Sequence, residues 1–341
     1  MSGKRRFRRG VSRCFRAFLI ILFWGAPLAA SVEPAQAAAL LREDFEDADF
    51  SARGWYDGTG GALSTSERVP GSGSSFECRI AQGAAGCEGG SPGRRLFTST
   101  EIVNLSFRVK YTANYVGSGL SYGPHEFYIL TDRDSPDIGP AGTHLTTYIE
   151  QNAGIPRLGL QDMLNVDTGC ILKNDDSFAG CGGDYRTYRF TEKRSVASCN
   201  GLIGPVDGRD CFPWDAEHWY SARYWRAPAN YLLDNRWHDV RVFLKMNSVV
   251  DGIGIADGHM KYAVDGNVVI NYENILFRTG ANADMKFNQF IIGPYMGSGS
   301  PVDQTFWLDN LAISTDPFSP GGDSRRPTPP QNLRIQGMNP S

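Results

Sequence analysis

Leu105-Ser106-Phe107-Arg108-Val109-Lys110-Tyr111 alternates apolar and polar side chains without a break. Successive side chains of an extended chain point to opposite faces. This stretch therefore sets Leu105, Phe107, Val109 and Tyr111 against a core and leaves Ser106, Arg108 and Lys110 to water. Residues 240–246 repeat the pattern loosely. Further strand-like runs lie at 126–130, 145–149, 220–225, 260–264, 287–292 and 306–313, punctuated by Gly, Pro, Asn and Asp. No helical period longer than two turns is found. Many antiparallel strands separated by turns imply a β-sandwich or a barrel. Val264-Asp265-Gly266-Asn267-Val268 reads as a hairpin with a tight Asp-Gly turn. Residues 251–258 lack the acid spacing of an EF-hand and read as an ordinary hairpin loop.

The composition agrees. The 341 residues include 39 Gly and 19 Pro, and 41% are hydrophobic, which suits a turn-rich globular domain. The formal net charge of −3 is unevenly spread. Seven of the 34 basic residues fall in the first 16 positions; without residues 1–37 the chain holds 27 basic and 36 acidic residues, a net of −9. Such an acidic chain argues against nucleic acid as a partner. The basic run from Lys4 to Arg16, the apolar stretch from Ala17 to Ala30 and the small-residue site Ala35-Gln36-Ala37 have the layout of a secretory signal peptide over 1–37. The expected product is a secreted, extracellular or periplasmic protein with no membrane span after signal cleavage. No later stretch approaches 18 apolar residues.

Six cysteines follow the leader, and an oxidising compartment makes disulfides their natural use. Six cysteines allow 15 pairings, of which the spacing favours three local loops: Cys78–Cys87, Cys170–Cys181 and Cys199–Cys211. No CxxC or suitably spaced His supports zinc. The body of the protein spans 38–317. Within it, residues 162–235 read as long disulfide-stapled insertions between strands. Residues 318–341 read as a Pro/Gly-rich disordered tail.

The C-terminal third carries a family likeness. Trp237-His238 leads into a strand ending Lys245-Met246-Asn247. Asp257-Gly258, Tyr262-Ala263-Val264-Asp265-Gly266, Phe287-Asn288-Gln289-Phe290 with Gly293, and Trp307-Leu308-Asp309-Asn310 follow in order. The N-terminal Glu43-Asp44-Phe45-Glu46-Asp47 looks like a first strand. This order resembles secreted bacterial polysaccharide-lyase-like domains, of the alginate and glucuronan lyase type, built on the concanavalin A-like jelly roll. The resemblance implies an all-β antiparallel sandwich of that kind and a glycan-directed function. It also implies termini that meet at one sheet, with Asp309-Asn310 ending an outer strand, and a structural calcium nearby. Glu43, Asp44, Glu46 and Asp309 supply oxygen ligands of the type calcium takes; the competing reading is a solvated acidic edge. The R-x-E-L-R, Q-I-H and Y-x-K-x-G-x-Y strands of well-known alginate lyases are absent, so no catalytic set carries over from them.

The candidate chemistry therefore comes from the residues. Elimination from a uronate needs a group to neutralise the carboxylate, a base for the C5 proton and an acid for the leaving oxygen. It requires no cofactor. Alternation over 144–150 puts His144, Thr146, Tyr148 and Glu150 on one strand face, and Arg157 and Gln161 share a face in the next run. His144 with Tyr148 is the sharpest pair; His125 opens the preceding strand. Tyr148 or His144 would serve as base, Tyr148 would return the proton, and Arg157 or Gln161 would neutralise the carboxylate. Glu150 either helps bind substrate or forms a plain ion pair with Arg157. Trp219, Tyr220, Tyr224 and Trp225, with Arg223, form an aromatic and basic cluster. It reads either as a sugar-stacking platform or as a satellite core. The expected partner is a polysaccharide and the expected state a monomer. The competing function is a non-catalytic carbohydrate-binding or surface-adhesion module.

Overall fold

The computed structural model describes residues 39–58, 60–120, 124–137, 144–167, 204–206, 209–213, 218–278 and 280–319, with backbone alone over 162–223. The expected signal peptide over 1–37 and nearly all of the expected tail over 318–341 lie outside these residues. So do Cys170, Cys181, Cys199 and the side chain of Cys211. No helix of the described residues is long and apolar enough to cross a membrane.

The strands in chain order begin with β1 (Leu41–Glu43), β2 (Ala62–Ser64), β3 (Ser75–Ile80), β4 (Gly93–Thr100), β5 (Ile102–Tyr111) and β6 (His125–Thr131). Then come β7 (Leu145–Asn152), β8 (Ile155–Asp167), β9 (Gly204–Val206), β10 (Arg209–Pro213), β11 (His218–Arg226) and β12 (His238–Lys245). The last are β13 (Val249–Val250), β14 (Ile253–Gly254), β15 (Gly258–Val264), β16 (Asn267–Ile275), β17 (Phe287–Tyr295) and β18 (Gln304–Ser314). Sixteen of them form two antiparallel sheets, and β13 pairs with β14 as a separate two-stranded hairpin. The first runs β16-β15-β12-β5-β18-β3-β2, with β1 also on β18; the second runs β4-β17-β6-β7-β8-β11-β10-β9. This is the expected all-β antiparallel sandwich of jelly-roll type.

The expected alternation is visible in β5, where buried Val103, Leu105, Phe107, Val109 and Tyr111 are spaced two apart. Phe107 meets Phe127 across the sandwich at 5.2 Å between ring centroids, and Phe127 in turn meets Phe290 at 6.3 Å and Phe306 at 6.1 Å. Each such ring is worth roughly 1.5–3 kcal/mol on burial. The tight turns are where the sequence puts them. Asp265 and Gly266 both have positive φ, at 50° and 82°, between the paired Val264 and Asn267. Asp251 and Gly252 do the same, at 52° and 76°, between β13 and β14.

Two expectations change. Asp309-Asn310 does not end an outer strand. β18 continues to Ser314 and lies between β5 on one side and β3 and β1 on the other. Asn310 has a positive φ of 52° within a register shift between Asp309 and Ala312, so the local kink reflects a bulge rather than a strand end. The termini do meet at one sheet, with Leu41 opposite Ile313. The region 162–235 is also more than insertions: β8 runs to Asp167, and β9, β10 and β11 extend the second sheet.

The Cys78–Cys87 disulfide is formed and closes the loop after β3. His238 is buried, with Nδ1 2.8 Å from Asp265 Oδ2 and Nε2 2.8 Å from Asp234 Oδ1, a structural role. Trp307 Nε1–H donates to Glu77 at 2.8 Å, which supplies the partner its indole needs.

Candidate functional site

β6, β7, β8 and β11 lie side by side in the second sheet. Their register sets the site. Tyr128 faces Tyr148, Tyr148 faces Gly159, and Gly159 faces Tyr224. Residues opposite one another share a face. Leu145, Ile149, Leu158 and Leu160 point into the main core. Tyr128, Tyr148, Leu130 and Ile291 instead form a small cluster of their own, with Tyr224 packed against it. This is the face that turns away from the first sheet.

Gly159 makes the row possible. A Cβ built there would lie 2.5 Å from the Tyr224 ring and 3.4 Å from that of Tyr148. With hydrogen in its place, the rings of Tyr148 and Tyr224 come within 6.4 Å of each other. Tyr128 and Tyr148 meet edge to face at 5.3 Å.

The polar groups gather on Tyr148. Its hydroxyl donates to Gln161 Oε1. The His125 ring stacks on the Tyr148 ring at 4.2 Å and 21°. His125 Nδ1 donates to Glu150 Oε2 at 2.9 Å. The other oxygen of Glu150 lies 2.5 Å from Arg157 Nη2, an ion pair whose two side chains are both almost wholly buried. The Arg157 guanidinium sits 4.6 Å above the Tyr224 ring, a cation–π contact. Tyr128 donates to the Gly293 carbonyl at 2.9 Å. Burial, and then the Glu150 charge, hold the Tyr128 hydroxyl well above its usual range.

The structure thus brings together His125, Tyr148, Glu150, Arg157, Gln161 and Tyr224. His144 sits at the near end of the same run. It precedes β7, where its backbone N–H donates to Asp134 Oδ1 and Leu145 N–H donates to the same oxygen at 3.0 Å. Four residues of strand, about 13 Å at the usual rise, separate it along the chain from Tyr148. The histidine on Tyr148 is His125. Burial raises the Asp134 carboxyl to about 6, against hydrogen bonds from Thr131 and the start of β7.

The aromatic cluster divides. Tyr224 joins the site. Trp225, next along the strand, faces the other way and packs on Tyr272 at 5.1 Å and on the core. Trp219, Tyr220 and Arg223 occupy β11, opposite Val166, Phe212 and Leu160 respectively; their side chains lie outside the described residues.

Sequence reasoning missed Tyr128 and Gly159. Tyr128 was legible, since it is the one aromatic of β6 facing away from Phe127. Gly159 carries its meaning only once β8 is known to lie between two tyrosine-bearing strands.

Glu126 marks the inner side of the same strand. It is fully buried and accepts hydrogen bonds from Tyr111 at 2.9 Å, and from Tyr115 and Gln151 at 3.0 Å. Burial pushes its carboxyl up to about 8.

The four acids considered for calcium are used in different ways. Glu43 accepts from Trp55 Nε1 at 2.6 Å, from Arg53 Nε at 3.0 Å and from Phe45 N at 3.0 Å. Glu46 accepts from Gly73 N at 2.8 Å. Asp44 is exposed. Asp309 is buried, which raises its carboxyl to about 6, and it bonds Ser72. Among the described residues, no group of three or more His, Cys, Asp or Glu is arranged to hold a metal ion.

No protein-family model matches the chain, and no curated protein matches it. Solved structures do. The alginate lyase vAL-1 from Chlorella virus aligns with a TM-score of 0.49 and 12% identity, over 82% of this chain and 100% of that one. The marine PL-14 alginate lyase from Aplysia kurodai aligns with a TM-score of 0.46 and 10% identity, over 82% and 100%. The endo-β-1,4-glucuronan lyase from the fungus Trichoderma reesei aligns with a TM-score of 0.41 and 14% identity, over 82% and 96%. At these identities the likeness is one of fold.

Proposed function

We propose that the protein is a polysaccharide lyase that cleaves a uronate-containing polymer by β-elimination. One observation carries this reading. Tyr148 is held between a stacked His125 and a hydrogen-bonded Gln161, with the Glu150–Arg157 ion pair beside them.

The roles follow from donors and acceptors. With Nδ1–H given to Glu150, the His125 ring keeps its lone pair on Nε2 and is the base for the C5 proton. The electrons left at C5 form the C4–C5 double bond as the C4–O bond breaks. Tyr148 gives its proton to the departing oxygen. Gln161, with its carbonyl oxygen taken by Tyr148, offers its amide hydrogens to the substrate carboxylate. Arg157 adds positive charge nearby, although its ion pair with Glu150 leaves Gln161 the main partner. The Cys78–Cys87 bridge supports action in an oxidising, extracytoplasmic compartment.

The test is the ultraviolet absorbance of the unsaturated uronate, followed on a panel of polyuronates. Tyr148→Phe is expected to lower the rate by about 10²–10⁴-fold and, by leaving the buried Gln161 Oε1 without its donor, to cost about 1–3 kcal/mol of stability. If wild type gives no absorbance rise on any polymer, the lyase reading is lost. Retention on immobilised glycans would then support a binding module. One observation favours that second reading: Tyr148 is only 3% exposed, whereas Tyr295, opposite His125 on β17, is 52% exposed.

A further inference from the structure

We propose that Tyr295 forms the floor of a second sugar subsite, which takes the pyranose ring adjoining the one at Tyr148. The subsite rests on the glycan reading of the site above and extends it along the polymer.

Register provides the first support. Tyr295, the last residue of β17, is paired with His125. Opposite residues of an antiparallel pair share a face, with Cβ atoms about 4.5–5.5 Å apart. His125 is itself stacked on Tyr148. Tyr295, His125 and Tyr148 therefore follow one another across three neighbouring strands. The sugar polymer that reaches Tyr148 from this side must pass over Tyr295.

Exposure provides the second. Among the described residues Tyr295, at 52% exposed, is the most open tyrosine or phenylalanine on this face, whereas Tyr128 and Tyr148 are closed off at 3%. An aromatic ring left open beside a polar cluster presents a flat apolar face. The C–H face of a pyranose ring matches such a surface.

Rigidity provides the third. Met296 is buried, and its N–H donates to Ala85 O at 2.7 Å. Ser300 N donates to Ala84 O at 2.8 Å, and Gly83 N returns a bond of 2.8 Å to Ser300 O. The loop that receives these bonds is closed by Cys78–Cys87. Tyr295 is thus exposed on a backbone fixed from behind, so little ordering is lost when a ligand covers it.

The test uses full-length protein, with alginate and glucuronan oligosaccharides of increasing length as probes. In the lyase assay, Tyr295→Ala is expected to raise KM about tenfold and to change kcat less than about twofold, and Tyr295→Trp to restore KM. Calorimetric titration of the Tyr148→Phe background gives a readout independent of turnover. There Tyr295→Ala should weaken binding of the longer oligosaccharides about tenfold and of the shortest ones little. Unchanged KM and unchanged titration in Tyr295→Ala, with elimination intact, would overturn the subsite and leave the lyase. Binding that depends on Tyr295 in a wild-type protein that eliminates nothing would support the subsite and overturn the lyase.

Discussion

β5 in the first sheet and β7 in the second bring apolar side chains to the same core, yet their outer faces differ. On β5 every second residue is only half-buried, and Lys110 pairs with Glu67 at 2.8 Å near the surface. On β7 seven consecutive residues are buried, and the outer set is Thr146, Tyr148 and Glu150. The first sheet follows the usual rule for antiparallel sheets, with one dry face and one wet. The second sheet buries polar groups on its outer face and must satisfy each of them internally.

Breaking the ion pair should give the largest stability change on the second sheet. Glu150→Gln leaves the Arg157 charge buried without its carboxylate and is expected to cost about 3 kcal/mol, read by urea unfolding. Adding Arg157→Met should return much of that stability but none of the elimination activity. A comparable loss on the first sheet comes from its core. Phe107→Ala is expected to cost about 3–5 kcal/mol, with activity per folded molecule retained. Those two variants would match in stability and part in activity.

A smaller effect tests the buried carboxyl between the sheets. Glu126 holds its proton in the folded state up to about 8 and releases it near 4.5 when unfolded. The folded state binds more protons in that window, so stability falls as pH rises through it. Asp134 and Asp309, each raised to about 6, act in the same direction at lower pH. Glu126→Gln should flatten the fall in melting temperature between about pH 6 and pH 8 and, below pH 6, leave only the share due to Asp134 and Asp309. The smallest change is on the wet face: Arg241→Ala removes a partly exposed pair with Asp239 and should cost about 1 kcal/mol or less.

Alternation made β5, β7 and most of the strand set legible, because each has one face in the core. It also put Tyr148, Glu150, Arg157 and Gln161 on shared faces before any pairing was known. It did not reveal that His125 stacks on Tyr148. His144 lies nearer in sequence, but His125 reaches the ring through the pairing of β6 with β7, and such long-range register is not written in either strand alone. β3 was missed although Phe76, Cys78 and Ile80 alternate into the core. Its cysteine drew the reading toward a loop, whereas Cys78 lies in the strand and only Cys87 lies in the loop.

The position of β18 has a consequence for how the molecule is made. This strand, contributed by residues 304–314, fills the gap between β5 and the pair β3 and β1. Until it arrives, the first sheet is two separate ribbons, β16-β15-β12-β5 and β3-β2, with β1 left unpaired, and the early strands have nothing to close upon. A chain emerging amino end first therefore stays unfinished through most of its synthesis, and its assembly waits on slow, distant pairing.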